Sequence, residues 1–129
     1  MIKAHAQAAT TETEFAARIG RICARVALRL SDNIQQTDTS LSQMTGERSE
    51  AVDAVATAYR WLHDISGIGP TVGFEATGRL ARSCAAALLG AFRARRGLSP
   101  DELALLTESF ESLRITALNE IHLTESVRG

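Results

Sequence analysis

Residues 15–34 contain a series of apolar residues at helical spacing. Its members are Phe15, Ile19, Ile22, Val26, Leu30 and Ile34. Residues three or four positions apart share one face of a helix, so this run predicts a helix with one buried side. Thr11 followed by Glu14 has the pattern of a capping box, in which both side chains bond amides of the first turn. We therefore predict a first helix over about residues 12–36.

A segment rich in threonine and serine, residues 37–46, comes next. Hydroxyl side chains compete for backbone hydrogen bonds, so we expect a connection here, with room for one extra short helix. Apolar spacing resumes at about Glu47 and predicts a second helix that reaches at least Gly67. Its stripe contains Val52, Val55, Tyr59, Leu62 and Ile65. Glycines and Pro70 follow, and proline lacks an amide donor, so we expect a kink or an end within residues 66–73.

A third helix is predicted over about residues 75–96. Its apolar side contains Leu80, Cys84, Leu88 and Phe92. It finishes in Arg93, Arg95 and Arg96 before Gly97. Cations in the last turn and a glycine just beyond are typical of the carboxyl end of a helix.

The clearest local signal is Ser99-Pro100-Asp101-Glu102. It combines a serine cap, a proline at the first helical position and a capping-box glutamate, so it predicts the start of a fourth helix. The buried stripe of that helix contains Leu103, Leu106, Phe110, Leu113, Ala117 and Ile121. We expect the helix to end at about Leu123 and residues 124–129 to fray.

Four amphipathic helices with mostly short connections favour an all-α fold. The chain has 129 residues and is 45% hydrophobic, enough for one sizeable core. We therefore expect a single domain over residues 1–129, built as an antiparallel four-helix bundle.

Charge and composition limit the classes of function. The formal net charge of -1 gives no electrostatic case for binding nucleic acid. No apolar run approaches the roughly 20 residues that cross a bilayer, so we expect a soluble, cytoplasmic protein that does not bind membranes. Cys23 and Cys84 lie in apolar pattern without CxxC spacing and are expected to be reduced and buried. His5 and His122 have no second ligand one turn away, so no metal site is predicted.

The candidate for chemistry is His63, near the end of the second helix. At about 100° per residue, His63 lies about a quarter turn from the middle of the apolar stripe, so its ring is expected to be exposed. Gly67 follows one turn later on the same flank and leaves room for a group as large as a phosphoryl. Arg60 lies one turn earlier and supplies a cation. A neutral imidazole carries a lone pair at pH 7 and is nucleophilic without a dedicated base.

The segment around His63 resembles the signature of histidine phosphotransfer (HPt) domains, His-x-Leu-Lys-Gly-Ser-Ala, with an apolar residue and a glycine nine and ten positions after the histidine. The matching residues here are His63, Ile65, Gly67, Val72 and Gly73. The resemblance implies that His63 accepts a phosphoryl group from a receiver-domain aspartate and passes it to another receiver, as a phosphorelay carrier in two-component signal transduction. It implies response-regulator receiver domains and a sensor or hybrid histidine kinase as partners. It also implies a monomer without a cofactor, since the magnesium belongs to the partner receiver domain.

The chain departs from that signature at the family's lysine, which is Ser66 here. A lysine would attract phosphoryl oxygens, so we expect Arg60 to take its place, with Arg79 and Arg82 on the next helix as other candidates. Ser66 is expected to bond back to a helix carbonyl more readily than to a phosphoryl group.

Docking to a receiver is expected to use apolar residues near His63. The candidates are Val72, Phe74 and Leu80. A small apolar patch with a polar rim suits a transient interface.

Three alternatives stay open from the sequence. A lone histidine on a helix flank is most often only a surface residue. The loss of the lysine favours a phosphorylation-incompetent adaptor that binds partners through its apolar strip. The third alternative is a dimeric phosphotransferase that resembles the dimerisation domain of sensor kinases. The motif of that domain has an acidic residue directly after the histidine, as Asp64 is here, and a proline five positions after the histidine. Pro70 lies two positions later than this motif requires. No glycine-rich loop with a phosphate-binding lysine occurs, which argues against a kinase activity of the chain's own.

Overall fold

A computed structural model describes the backbone of residues 2–128 and the side chains of residues 11–125. The four α-helices of this backbone are α1 (Ile2–Ser40), α2 (Ser49–Ile68), α3 (Glu75–Ala94) and α4 (Pro100–Arg128). Two 3₁₀ turns, Leu41–Gln43 and Pro70–Val72, lie between them. The described backbone contains no strand, only an isolated bridge between Thr45 and Leu98. The predicted all-α fold is confirmed.

Helix α1 is longer than predicted at both ends. Thr11 lies well inside it, so the predicted capping box at Thr11 is wrong. Alanines precede Thr11, and alanine has the highest helix propensity, so the helix continues through this position. At the other end, the Thr39 and Ser40 hydroxyls donate to the carbonyls of Gln35 and Thr37. These hydroxyls are satisfied by the helix itself and do not interrupt it.

A hydrogen bond between side chains joins α1 to α2. Trp61 Nε1 donates to Thr37 Oγ1 at 2.7 Å, and both residues are buried. The sequence placed Thr37 in a connection, but its buried hydroxyl is the acceptor that a buried indole requires.

The apolar core draws on all four helices. Its large, fully buried members are Leu30, Met44, Val55, Leu62, Phe74, Leu88, Leu106, Phe110 and Leu113. The predicted stripes of α3 and α4 are thus confirmed at their central positions. Burial of Trp61 at the edge of the α2 stripe was not predicted.

Phe15 and Ile19 do not join this core, against the prediction. They are 61% and 41% exposed. Helix α1 has 39 residues and α2 has 20, so at about 1.5 Å per residue α1 is nearly twice as long. The first half of α1 therefore extends beyond the end of α2 and has no residues of α2 to pack against.

Helix α2 ends at Ile68, as the glycines and Pro70 indicated. Gly73 follows the 3₁₀ turn with a φ of +98°, a left-handed conformation that favours glycine. A Cβ on Gly78 would lie 2.7 Å from Pro70 Cδ. The α2–α3 junction is therefore packed too closely for a side chain at Gly78.

The carboxyl end of α3 differs from the prediction. The left-handed residue there is Arg95, with φ 53° and ψ 50°, and Gly97 is not the cap. The Arg95 and Arg96 amides donate to the carbonyls of Phe92 and Ala91, the Schellman pattern. Gly97 allows two backbone segments to pack closely, because a Cβ there would lie 2.8 Å from the Met44 carbonyl oxygen.

The predicted capping box at α4 is confirmed. The Ser99 amide donates to Glu102 Oε1 at 2.8 Å, and the Glu102 amide donates to Ser99 Oγ at 3.1 Å. Arg96 forms a two-pronged ion pair with the same carboxylate. These contacts hold the pKa of Glu102 down, to about 2, with the Arg96 hydrogen bond as the largest cause.

Helix α4 continues to Arg128, beyond the predicted end near Leu123. Its Glu120 carboxylate accepts hydrogen bonds from the amides of Ala76 and Thr77 at the start of α3. A negative charge at a helix amino end is favourable, so α4 caps α3.

Both cysteines are unbridged thiols. Cys84 is buried, and burial raises the pKa of its thiol to about 11. Cys23 is half-buried and its Sγ donates to the Val72 carbonyl at 3.3 Å. None of the described helices is both long and apolar enough to span a membrane.

Candidate functional site

The His63 imidazole is exposed on α2, as predicted. The core side of this helix is occupied by neighbouring Leu62 and Ile65, which are 0% and 7% exposed. The register of the apolar stripe therefore directs His63 away from the core and towards solvent. A side chain in this position is accessible to a large partner.

An aromatic stack supports the imidazole from one side. The His63 ring lies on Tyr59, with centroids 5.8 Å apart and planes 16° apart. Tyr59 in turn stacks on Phe92 of α3, with centroids 4.2 Å apart. The stack restricts the ring of His63 without enclosing it. Tyr59 and His63 are four positions apart on one helix, a spacing visible in the sequence, but we had assigned Tyr59 only to the core stripe.

Gly67 leaves open space one turn after His63. A Cβ at Gly67 would meet no atom within 4 Å. The fold therefore places no steric requirement for glycine here, unlike at Gly78. Gly67 is the second-last residue of α2, and the described packing gives no steric reason for a glycine there.

Ser66 behaves as predicted from the sequence. Its Oγ donates to the His63 carbonyl oxygen at 2.6 Å. The hydroxyl proton is thus used within the helix, and Ser66 does not replace the lysine of the HPt signature.

Arg60 lies in a cleft of about 410 Å³ between α2 and the end of α3. The cleft is lined by Val52, Asp53, Ala56, Arg60, Ala91, Phe92, Arg93 and Arg95. His63 is not among these residues, but Phe92 connects the cleft to the aromatic stack. Arg93, Arg95 and Asp53 were not predicted as site residues, because the sequence linked the two arginines only to the end of a helix.

The other predicted cations are less directly placed. Arg79 and Arg82 are exposed on α3. Within the described side chains, neither they nor Arg60 form a hydrogen bond or an ion pair with His63. Their role at the phosphoryl site stays a prediction.

The predicted docking residues do not form an exposed strip. Phe74 is 0% exposed, so its assignment to a docking surface is wrong. The left-handed Gly73 turns the chain so that Phe74, the residue just before α3, lies in the core. Val72 and Leu80 are half-buried, and Leu80 packs against the core. Val72 instead borders a cavity with Ile19, Cys23 and Leu123.

The described side chains offer no cluster of metal ligands. Among the described side chains, no group of three histidine, cysteine or carboxylate residues comes together to hold a metal ion. His122 is exposed on α4, and the side chain of His5 lies outside the described residues.

Comparison with models of known families, with curated proteins and with solved structures gives no match. The assignment of function therefore depends on the residues around His63.

Proposed function

We propose that this chain is a phosphorelay carrier of two-component signalling, with His63 as the phosphoryl acceptor. One observation carries the proposal: an exposed imidazole stands one turn from a helical glycine that the fold does not require. An empty space beside a nucleophilic ring is what a bound phosphoryl group needs.

The proposed architecture is a single-domain antiparallel four-helix bundle of the histidine phosphotransfer type. Its support comes from the order of contacts between α2 and α3. Tyr59 stacks on Phe92, while Pro70 just after α2 lies against Gly78 near the start of α3. Later residues of one helix thus meet earlier residues of the other, the order expected for antiparallel neighbours.

The proposed reaction has two symmetrical steps. A ring nitrogen of His63 donates its lone pair to the phosphorus of an aspartyl phosphate on a receiver domain. The N–P bond forms as the acyl P–O bond breaks, and the aspartate leaves as a carboxylate. A second receiver's aspartate then attacks the same phosphorus and the imidazole leaves. Magnesium bound by the receiver supplies charge stabilisation, while this chain positions the nitrogen.

Labelling tests the chemical competence of His63. The protein is incubated with phosphoramidate and, separately, with a phosphorylated, magnesium-loaded receiver domain. We expect an acid-labile, base-stable phosphoryl group detectable by mass spectrometry on the parent and on His122→Gln, and none on His63→Gln. His122 is a matched control because it is also exposed on a helix. Equal labelling of all three proteins would reject His63 as the acceptor.

A protein-binding adaptor is the second candidate. The observation that favours it is Ser66, whose hydroxyl is committed to the His63 carbonyl and which offers no positive charge. An adaptor would bind a receiver domain equally well after His63→Ala and would take no label from either donor. Both results together would replace the carrier assignment with this one.

A further inference from the structure

Three arginines gather in the cleft beside the aromatic stack. Arg60 comes from α2, and Arg93 and Arg95 come from the end of α3. Among the described side chains, Asp53 is the only acidic residue that lines the cleft, so three positive charges and one negative charge leave a formal local charge of +2. The whole chain has a net charge of -1, so this positive charge is a local feature.

These guanidinium groups have no partner within the described side chains. Arg96 and Arg114, by contrast, pair with Glu102 and Glu111. Arginine carries five donors in a planar fork that matches carboxylate and phosphate geometry. Three unpaired guanidinium groups that line one cleft form a binding surface for anionic groups.

The conformation of Arg95 is a second, independent observation. Its φ of 53° lies in the left-handed region, and it is the only residue other than glycine with a positive φ in the described backbone. Glycine or asparagine is the usual choice at this position of a Schellman motif. An arginine there strains the backbone while it adds a cation to the cleft, and such strain is found where function requires a particular side chain.

The position of the cleft indicates which anion it meets. Phe92 lines the cleft and also stacks on Tyr59, which supports the His63 ring. A partner that brings an acyl phosphate to His63 therefore comes close to the cleft as well. The resemblance to histidine phosphotransfer domains implies a partner whose phosphorylatable aspartate lies in an acidic pocket, and an acidic surface is complementary to the three arginines.

We propose that Arg60, Arg93 and Arg95 form a cationic docking cleft for the acidic surface around the phosphorylatable aspartate of a receiver domain. This inference rests on the proposed carrier function and adds the surface that attracts and selects the partner. Arg93 and Arg95 act on encounter with the receiver and not on the chemistry at His63, whereas Arg60 is also the candidate phosphoryl neighbour.

The test compares two double variants of equal charge. Arg93→Gln/Arg95→Gln alters the cleft, and Arg21→Gln/Arg25→Gln removes two exposed arginines from α1. Arg60 is left intact because it is also the candidate phosphoryl neighbour. From a panel of phosphorylated, magnesium-loaded receivers, the one that labels the parent is chosen. Its second-order transfer rate constant is measured at several salt concentrations, and labelling by phosphoramidate is measured in parallel.

We expect the cleft variant to lose about tenfold in the transfer rate constant at low salt, with a weaker salt dependence. Its labelling by phosphoramidate stays at the parent level, and the α1 variant matches the parent in both assays. A cleft variant with the parent's rate and salt dependence would overturn the inference. Equal loss with phosphoramidate would also overturn it, because the arginines would then act on the chemistry.

A single substitution separates docking from folding. Arg95→Gly relieves the left-handed strain, so we expect a rise in Tm of about 3–5 °C together with slower transfer from the receiver. Slower transfer with a lower Tm would assign Arg95 a structural role instead. If neither phosphoramidate nor any receiver labels the parent, the carrier function fails and the docking inference fails with it.

Discussion

Gly67 of α2 has no side chain, although the fold leaves space for one at this position. The His63 ring one turn earlier is exposed and lies on Tyr59. The exposure of His63, the open space at Gly67 and the backbone bond of Ser66 were predicted from the sequence, because all three follow from spacing within one helix. It missed the stack and the cleft because Phe92, Arg93 and Arg95 reach this surface from α3, and a single helix pattern does not reveal its neighbours.

Gly67→Ala tests whether the open space serves transfer. We expect the variant to be more stable to denaturant by at most about 0.5–1 kcal/mol, the value for a mid-helix position, because alanine favours the helix and meets no atom. We expect its transfer rate to fall, because the methyl group occupies space beside the ring. Gly90→Ala on α3 is the control, since that glycine is also exposed and helical. Stabilisation without slower transfer in both variants would remove Gly67 from the site.

Arg60→Ala tests the proposal that this cation takes the place of the lysine in the histidine phosphotransfer signature. We expect slower transfer from the receiver and a shorter lifetime of the phosphohistidine, because a guanidinium stabilises phosphoryl oxygens by charge-assisted hydrogen bonds. Arg82→Ala measured alongside decides between Arg60 and Arg82, one of the two other candidate cations. Slower transfer with an unchanged lifetime in Arg60→Ala would leave Arg60 with only the docking role, and an unchanged rate and lifetime would remove it from both roles.

At the scale of the elements, helix starts and stops were predicted best where the signal is local. The Ser99–Glu102 capping box and the end of α2 before Pro70 are set by neighbouring residues, and both were confirmed. The Thr11 box failed because the same pattern also fits inside a helix. The cap of α3 by Glu120 was not predictable, since it joins residues more than 40 positions apart.

The corner between α3 and α4 gives a pH-dependent prediction. The pKa of Glu102 is about 2 in the folded protein, below the ordinary value of about 4.3 in an unfolded chain. Folding therefore favours the carboxylate, and its contribution is complete above about pH 4.3 and is lost as the pH falls towards 2. We expect Glu102→Gln to be less stable than the parent at pH 7. Urea denaturation across this range should show the difference shrinking as the pH falls, and a constant difference would contradict the account.

At the scale of the whole molecule, the stripes predicted which side of each helix is buried but not how far the burial extends. Phe15 and Ile19 continue the stripe of α1 yet stay exposed, because periodicity carries no information on the length of neighbouring helices. Phe74 was wrongly assigned to the surface for a similar reason. Its burial depends on the left-handed turn at Gly73, which directs the chain back into the core.

The mass of the particle in solution decides between a self-contained carrier and a dimeric phosphotransferase. We expect a monomer of 13.9 kDa by light scattering, because the core is formed by the four helices of one chain. A particle of twice this mass over a range of concentrations would favour the dimeric alternative.

The central claim is that His63 carries a phosphoryl group between two receivers, and a reconstituted relay tests it most directly. A phosphorylated receiver is mixed with this protein and a second, unphosphorylated receiver, and phosphoryl arrival on the second is followed in time. The account predicts transfer with the parent, transfer with His122→Gln, and none above the protein-free control with His63→Gln. Transfer that persists in His63→Gln, or its absence with a folded parent that binds both receivers, would contradict the claim.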